Sequence, residues 1–223
     1  MDWTAFSLSL LLAIWTCALL LPLGIIIARI LAWGKFKGRG LIEALITLPL
    51  VLPPTVLGYY LLSAFSPNST FGGLYAALFK QPLAFTFHGL LLASMIFNIP
   101  FAVQPMQRAF ENIAPEIREA AWCSGISTWS TFWRIELPLA WPGLLSALVL
   151  VTAHTLGEFG VVLMLGGNIP GETRTIAIAI YDRLHTFDNH GASTMSAALL
   201  AFSFTAIAFI YLLNDRYADR KRA

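Results

Sequence analysis

The chain has 223 residues, of which 57% are hydrophobic and only 12% are charged, and its mean hydropathy is +0.72. Soluble domains carry about 25% charged residues, so this composition excludes an ordinary soluble domain and predicts lipid as the main surrounding. The two cysteines exclude a disulfide-rich scaffold, and the net charge of +2 identifies no class of partner.

Five apolar runs are long enough to cross a bilayer, which takes about 20 residues in a helix. They cover residues 8–31, 41–65, 83–104, 141–165 and 192–213. Only helices and closed barrels satisfy the backbone in lipid, and these runs are too long for barrel strands. We therefore predict an all-α membrane protein with about five transmembrane helices, forming one domain over residues 1–223.

The second run is interrupted by three prolines, Pro49, Pro53 and Pro54. A proline removes a helix hydrogen bond and kinks the helix, and broken helices line substrate cavities in many transporters. If the chain is a transporter, this break places Pro53 and Pro54 on its translocation path. The alternative is a kink that serves packing only.

A polar loop, residues 107–140, separates the third and fourth runs. Pro115 suits the first position of a helix, and Glu116 complements the helix dipole there. The pattern predicts a helix through Cys123. Gly125 then ends it, because glycine accepts the left-handed conformation found at helix C-termini.

A second short helix is predicted after this glycine. Ser127 or Thr128 is expected to cap its start, and the helix is expected to run through Trp133. Leu137 and Pro138 are then expected to turn the chain into the fourth apolar run.

The surface of this loop favours contact with another protein. Ala120 and Ala121 are small enough to permit close approach, and Glu116 and Glu119 place charge at the rim. The loop also carries more large aromatics than water-exposed segments usually do, and these are expected to anchor at the membrane interface or on a partner. They are Trp122, Trp129 and Trp133.

Lysine and arginine are distributed unevenly between the two sides that the five runs define. If the N-terminus is outside, eleven of the fourteen basic residues lie on the cytoplasmic side, including the segment 216–222. Positive residues favour the cytoplasm, so we predict an external N-terminus, a cytoplasmic loop and a cytoplasmic C-terminus. Glu43 lies on the same side and is expected to pair with Lys37 or Arg39.

The loop resembles a known motif, the EAA loop in the membrane subunits of binding-protein-dependent ABC importers. The resemblance implies that its residues couple the membrane subunit to the ATPase. The matching and adjoining residues are Glu116, Glu119, Ala120, Ala121, Gly125, Ile135, Leu137 and Pro138. The alternative is a cytosolic loop without a partner.

Three further strings resemble the molybdate, tungstate and sulfate branch of these permeases. They are LPLVLPPTV at 48–56, LGEFG at 156–160 and GNIPGETRT at 167–175, of which the last favours molybdate. The resemblance implies a homodimer, two cytoplasmic ATPase subunits that bind ATP and magnesium, and an external oxyanion-binding protein. It implies no cofactor, metal or nucleic acid on this chain, and an inner-membrane location.

His154 and Glu158 lie four residues apart in the fourth run, so a continuous helix would place them on one face. Ionisable residues inside a membrane are functional candidates by default. One interpretation makes them a gate or part of the cavity wall. The other, favoured for Glu158 because a carboxylate repels an oxyanion, is a hydrogen-bonded His–Glu pair between helices.

Other functions remain open at this point. Tungstate, sulfate or thiosulfate could replace molybdate as the substrate. An intramembrane enzyme is disfavoured because the sequence contains no metal-ligand or nucleophile motif. An ion-coupled carrier without an ATPase needs a coupling-ion site near the midplane, for which only His154 and Glu158 are available. Residues 176–184 are predicted to form a short external helix, and the loop 166–175 either touches the binding protein or is solvated.

Overall fold

The computed structural model describes the backbone of residues 1–222 and the side chains of residues 1–212. Within that part the chain is helical and contains no strand, which confirms the predicted all-α fold. The basic side chains at 216–222, which are counted above on the cytoplasmic side, lie outside the described side chains. The helices are α1 (Trp3–Trp33), α2 (Arg39–Val51), α3 (Pro54–Phe65), α4 (Thr70–Phe79), α5 (Phe87–Glu111), α6 (Pro115–Cys123), α7 (Thr128–Leu139), α8 (Trp141–Gly157), α9 (Gly160–Gly166), α10 (Ile176–His185) and α11 (Asn189–Arg222).

Helix α1 is a single continuous helix of 31 residues. The Asp2 carboxylate caps its start by accepting a hydrogen bond from the Ala5 backbone N–H at 3.0 Å. Pro22 lies within it without ending it. At Gly24 an added methyl group would lie 3.3 Å from the Ala102 side chain, so α1 approaches α5 closely there. The first predicted span, 8–31, lies within this helix.

The second apolar run folds as two helices rather than one, and α2 and α3 meet at an angle of 110°. Leu52 and Pro53 are extended, and Pro54 starts α3. A residue before proline is driven out of the helical region, and proline itself lacks the N–H that would continue the ladder. The interruption was predictable from the prolines, whereas Pro49 stays inside α2.

Helix α5 is the centre of the bundle and packs against α1, α2, α8 and α9. Two clusters of buried side chains surround it, one towards each end of the helix. Phe97 belongs to the cluster near its start, and Met106 and Phe110 belong to the cluster near its end. Close packing on both halves of α5 therefore fixes the positions of the helices that carry the candidate sites.

The fourth apolar run is also divided. Helix α8 ends at Gly157, and the separate short helix α9 follows, so residues 141–165 do not form the single continuous helix that the sequence predicts. Helix α7 leads into α8 at an angle of 66°. Among the described residues, α1, α5 and the 189–212 part of α11 can each cross a bilayer alone. Counting each of the two bent pairs, α2 with α3 and α7 with α8, as one span gives up to five candidate spans among the described residues.

The two ends of the bundle differ in what holds them. At the end that carries α6, called the α6 end below, ion pairs join α1, α6 and α7 and join α2 to α5. At the opposite end, Arg174 bonds Asn168 at 2.7 Å and Asp182 at 3.1 Å, and lies 4.0 Å from Asp2. Helix α10, predicted from the spacing at 176–184, forms at this opposite end.

Candidate functional site

Helix α6 begins and ends where the sequence predicts. Pro115 occupies its first turn, after the extended residue Ala114, and the helix stops at Cys123. Gly125 then adopts the left-handed conformation, with φ of +77°. A methyl group added at Gly125 would meet nothing within 4 Å, so backbone geometry rather than crowding favours glycine there.

Helix α7 starts as predicted but runs further. The Ser127 hydroxyl caps it by accepting a backbone N–H at 3.3 Å. The helix passes Trp133 and Pro138, and the turn into α8 falls at Ala140, so the predicted turn at Pro138 is wrong. The segment Phe132–Glu136 is a wider π-helical turn. A proline ring crowds the carbonyl four residues earlier in a regular helix, and a wider turn relieves that crowding.

The residues predicted to couple to an ATPase divide into an exposed and an inward set. Glu116, Glu119, Ala120 and Gly125 are exposed on α6 and its glycine turn. Ala121 is only 5% exposed, so it faces the protein itself rather than a partner. The remaining members are half-buried: Ile135, Leu137 and Pro138.

The loop also contains a buried acid that the sequence interpretation passed over. Glu136 has no exposed surface, and its carboxylate bonds the Arg29 Nε at 2.7 Å and the Arg118 Nε at 3.0 Å. These arginines come from α1 and α6. We call these three side chains the charge node. In the motif, Glu136 is the position between Ile135 and Leu137 at which no residue type is required. The sequence signal for a buried partner acid was Arg29, a charged residue near the end of an apolar run.

Aromatic rings surround the charge node. The Arg118 guanidinium lies 3.6 Å from the centre of the Trp33 ring and 4.9 Å from that of Trp122. Arg29 lies 5.4 Å from the ring centres of Trp33 and Phe132. Cations over aromatic faces are attracted by the ring electrons, most strongly by tryptophan. The node is therefore held by ion pairs inside a shell of rings.

The predicted path residues meet at the break between α2 and α3. Pro54, His154 and Glu158 line one cavity of about 130 Å³, whereas Pro53 precedes it directly in the chain without lining it. The Pro54 side chain also packs close to Gly160, so a side chain at Gly160 would collide with it. Apolar side chains form most of the wall: Pro49, Leu50, Leu52, Leu57, Phe97, Phe101 and Val161.

His154 and Glu158 lie near each other without the predicted hydrogen bond. Their closest atoms, Nε2 and Oε2, are 3.9 Å apart, which is too long for one. Instead, His154 Nδ1 lies 3.1 Å from Asn98 Oδ1, and Glu158 Oε1 accepts the Val161 N–H at 2.9 Å. Because α8 ends at Gly157, Glu158 caps α9 rather than continuing the face of His154.

A buried polar network extends from His154 across three helices. Asn98 on α5 donates to the Ser94 carbonyl at 2.9 Å and to the Thr155 hydroxyl at 3.0 Å. Thr16 on α1 donates to the Ser94 hydroxyl at 2.8 Å. The sequence interpretation missed this network, because its members are separate, common polar residues in apolar runs. It fixes the orientation of one side of the His154 ring.

A second cavity, of about 340 Å³ and with a mostly polar lining, lies at the α6 end between α2 and α5. The predicted pairing of Glu43 with Arg39 is confirmed at 2.9 Å, and Arg39 also bonds Glu111 at 2.9 Å. Gln107 donates to both of those carboxylates. The charges that line this cavity are thus mutually neutralised, and they make a poor site for an isolated anion.

In the part of the chain that the structure describes, no group of three or more histidine, cysteine or acidic side chains could hold a metal ion. The polar groups of the cavity between α2 and α5 are bonded to each other, whereas His154 and Glu158 bond Asn98 and the Val161 N–H.

Several proteins of known name are similar to this chain over most of its length. The molybdenum transport system permease protein ModB of Azotobacter vinelandii is 44% identical over 210 residues, covering 94% of this chain and 93% of that protein. The ModB protein of Haemophilus influenzae is 38% identical over 220 residues, covering 99% and 95%. The sulfate transport system permease protein CysT of Escherichia coli is 36% identical over 197 residues, covering 88% and 71%.

Solved structures share the fold at low sequence identity. A chain of a bacterial ABC transporter that imports the acidic polysaccharide alginate is similar with a TM-score of 0.78 and 18% identity, covering 96% of this chain and 78% of that one. A chain of the MetNI methionine ABC transporter gives 0.63 and 14%, covering 96% and 91%. The family described as binding-protein-dependent transport system inner membrane component matches residues 21–222. The chain therefore belongs to this family of membrane-spanning transport subunits.

Proposed function

We propose that this chain is the molybdate-translocating membrane subunit of an ATP-driven importer. The observation that carries the proposal is similarity to molybdenum permeases over nearly the full chain, at up to 44% identity. The sulfate permease is 36% identical over a smaller share of both chains. The string at 167–175 favours the same substrate.

The proposed importer contains two copies of this chain, two cytoplasmic ATPase subunits and an external oxyanion-binding protein. ATP and magnesium bind to the ATPase, and this chain carries no cofactor. A bacterial alginate ABC transporter of similar fold has been solved in complex with a periplasmic protein bound to an alginate pentasaccharide, which supports an assembly of this kind. In the proposed orientation the N-terminus is outside and the α6 end and the C-terminus are cytoplasmic, as the arginines gathered at the α6 end favour.

The proposed ATPase-docking surface is the exposed part of α6 and its glycine turn. Glu116, Glu119 and Ala120 contact the ATPase, and Gly125 provides the turn that presents them. Ala121 seats α6 on the bundle. The half-buried residues of α7, which are Ile135, Leu137 and Pro138, carry the movement of the loop into α8.

The proposed path passes the break between α2 and α3. Transfer of an unpaired dianion into an apolar medium costs on the order of tens of kcal/mol, so molybdate needs a hydrated cavity that opens to one side at a time. Pro53 and Pro54 open the helix there, and His154 and Glu158 supply polar groups to the wall. Their mixed charges favour weak and transient contact, so selectivity resides mainly in the binding protein.

The test is uptake of labelled molybdate by cells with and without this chain, with excess unlabelled tungstate or sulfate as competitor. We expect deletion to abolish uptake, and tungstate but not sulfate to compete. Unchanged molybdate uptake together with lost sulfate uptake would transfer the assignment to sulfate, the alternative that the CysT relative favours. Whichever of the two anions is the substrate, its uptake is expected to depend on the loop 107–140.

A further inference from the structure

We propose that the charge node is the link through which movement of α6 reaches α1, and through α1 the opposite end of the bundle. The proposal rests on the importer function above, because it concerns how ATPase movement is transmitted. Arg118 and Arg29 act in it as positioning residues, which hold α6 and α1 on the shared carboxylate of Glu136.

The first observation is that one carboxylate joins three separate helices. Glu136 on α7 bonds Arg118 on α6 through Oε1, and it bonds Arg29 on α1 through Oε2 at 2.7 Å and Oε1 at 3.3 Å. Glu136 is fully buried, and the arginine side chains are 27% and 17% exposed, for Arg29 and Arg118 respectively. Charge-assisted hydrogen bonds of this kind are short and directional, so α6 and α1 share one rigid reference point.

The second observation is that α6 has little other attachment. Ala121 is its only buried residue among those described. A helix with one small buried side chain gains little from apolar burial, since the gain scales with the area removed from water. Arg118, by contrast, reaches Glu136 and lies 3.6 Å from the Trp33 ring at the end of α1. Its contacts therefore dominate the seating of α6 on α1.

The third observation is that α1 is unbroken from the node to the other end. Its 31 residues span about 46 Å at the rise of an α-helix. Near its start the buried Ser9 hydroxyl accepts the Ile176 N–H of α10 at 2.8 Å. A displacement of Arg29 is therefore transmitted along α1 to its contact with α10. A displacement applied to α2 would instead be absorbed at the break between α2 and α3.

Substitutions at the charge node can separate transmission from folding. Arg118→Gln removes the ion pair between α6 and Glu136 but leaves Glu136 paired with Arg29, so no buried charge is unpaired. Arg29→Gln removes the ion pair between α1 and Glu136 and leaves Glu136 paired with Arg118. Arg118→Lys keeps the charge but loses the planar fork and the stacking on Trp33. Arg134→Gln is the matched control, because it neutralises an exposed arginine of the same loop.

The experiment uses the full importer with its ATPase and its binding protein in lipid vesicles. It measures ATP hydrolysis with and without substrate-loaded binding protein, at equal amounts of assembled complex. We expect Arg118→Gln and Arg29→Gln to keep basal hydrolysis. The factor by which the loaded binding protein stimulates hydrolysis should be about tenfold smaller in both variants than in wild type. Arg118→Lys should recover part of the stimulation, and Arg134→Gln should behave as wild type.

Three outcomes separate the possible failures. Normal stimulation in both glutamine variants would overturn the link. Loss of assembly or of basal hydrolysis in Arg118→Gln, repaired by Arg118→Lys, would overturn it as well, because the node would then serve folding only. A wild-type complex that hydrolyses ATP in response to a sulfate-loaded but not a molybdate-loaded binding protein would refute the proposed substrate while leaving the link testable in the same assay.

Discussion

The charge node and the cavity at the break of α2 both contain ionisable groups, but they treat charge in opposite ways. At the node, a fully buried carboxylate is bonded by two guanidinium groups within 3.3 Å. In the cavity, His154 and Glu158 stand 3.9 Å apart, and each bonds a different, neutral partner. Tight pairing suits a rigid connection, whereas loosely coupled groups suit a wall past which an anion moves.

The same contrast appears in the helices around each site. The node sits where the continuous helix α1 meets two short helices, and the cavity sits where the chain is broken twice, between α2 and α3 and between α8 and α9. Broken helices leave backbone groups that need water or protein partners. We infer that force is carried on the continuous side of the bundle and that the solute passes on the broken side.

The largest expected effect comes from Gly125→Pro. Gly125 has φ of +77°, and proline requires a value near −65°. The turn between α6 and α7 cannot form with proline, so uptake should fall to background while the protein still inserts. Uptake by vesicles and the amount of inserted chain are measured together. Gly125→Ala is the graded companion, with a smaller loss, since the site has free space but an unfavourable backbone angle for alanine. Normal uptake by a Gly125→Pro variant that has inserted into the membrane would refute the coupling role of this loop.

Glu119→Lys tests the exposed face of the same loop. Glu119 is exposed, so the reversal should not disturb folding, whereas it should repel the part of the ATPase that meets a carboxylate. Co-purification of the ATPase should be lost along with uptake. If the ATPase remains bound and uptake is normal, Glu119 does not belong to the docking surface.

Gly160→Ala tests the cavity side of the comparison. Its methyl group would press against Pro54, whereas Gly157→Ala, three residues earlier, would meet nothing within 4 Å. Overpacking costs about 1–3 kcal/mol, so Gly160→Ala should displace α3 and lower uptake severalfold while the Gly157→Ala control stays near wild type. Equal uptake by the two variants would argue against a tight fit at the α2–α3 break in the working cycle.

Glu158 is expected to act chiefly as a cap, with a modest effect. Glu158→Gln keeps an oxygen that can accept the Val161 N–H, and Glu158→Ala removes it. Loss of a helix cap costs about 1 kcal/mol, so thermal unfolding in detergent should shift for the alanine variant and much less for the glutamine variant. Equal destabilisation by the two would mean that the charge of Glu158, and not its cap, stabilises the fold.

The smallest effect concerns pH at the turn between α10 and α11. The pKa of the Asp188 carboxyl lies below its ordinary value of 3.8, because the Gly191 backbone N–H and then the Arg183 guanidinium stabilise its charged form. A lowered carboxyl pKa gives stability that is present above the ordinary value and is lost as pH falls through the lowered one. Protection of the Gly191 amide should weaken only in strong acid, and Asp188→Asn should remove that pH dependence. A pH-dependent loss in the asparagine variant would contradict this.

Local chemistry made the loop predictable and left the cavity less so. The start of α6 at Pro115 and the turn at Gly125 depend on residues whose backbone preferences act without tertiary contacts, and the structure has both. The break at Pro53 was foreseen for the same reason, but its angle of 110° depends on how α2 and α3 pack.

Long-range pairing explains what sequence reasoning missed. Glu136 meets Arg29 across 107 positions of the chain and Arg118 across 18, so nothing local marked it as buried. No proline marks the end of α8 at Gly157, so nothing in the sequence strongly signals a helix break there. A continuous helix was therefore expected, and with it a His154–Glu158 bond that the structure does not contain.

The central claim is that this chain moves molybdate with energy from a separate ATPase. The most direct measurement places the complex in vesicles with ATP on the ATPase side and labelled molybdate with its binding protein on the other side. The account predicts accumulation that requires ATP and persists when ionophores dissipate all ion gradients. Accumulation that follows an ion gradient without ATP, or a complex that hydrolyses ATP but moves no molybdate, would contradict it.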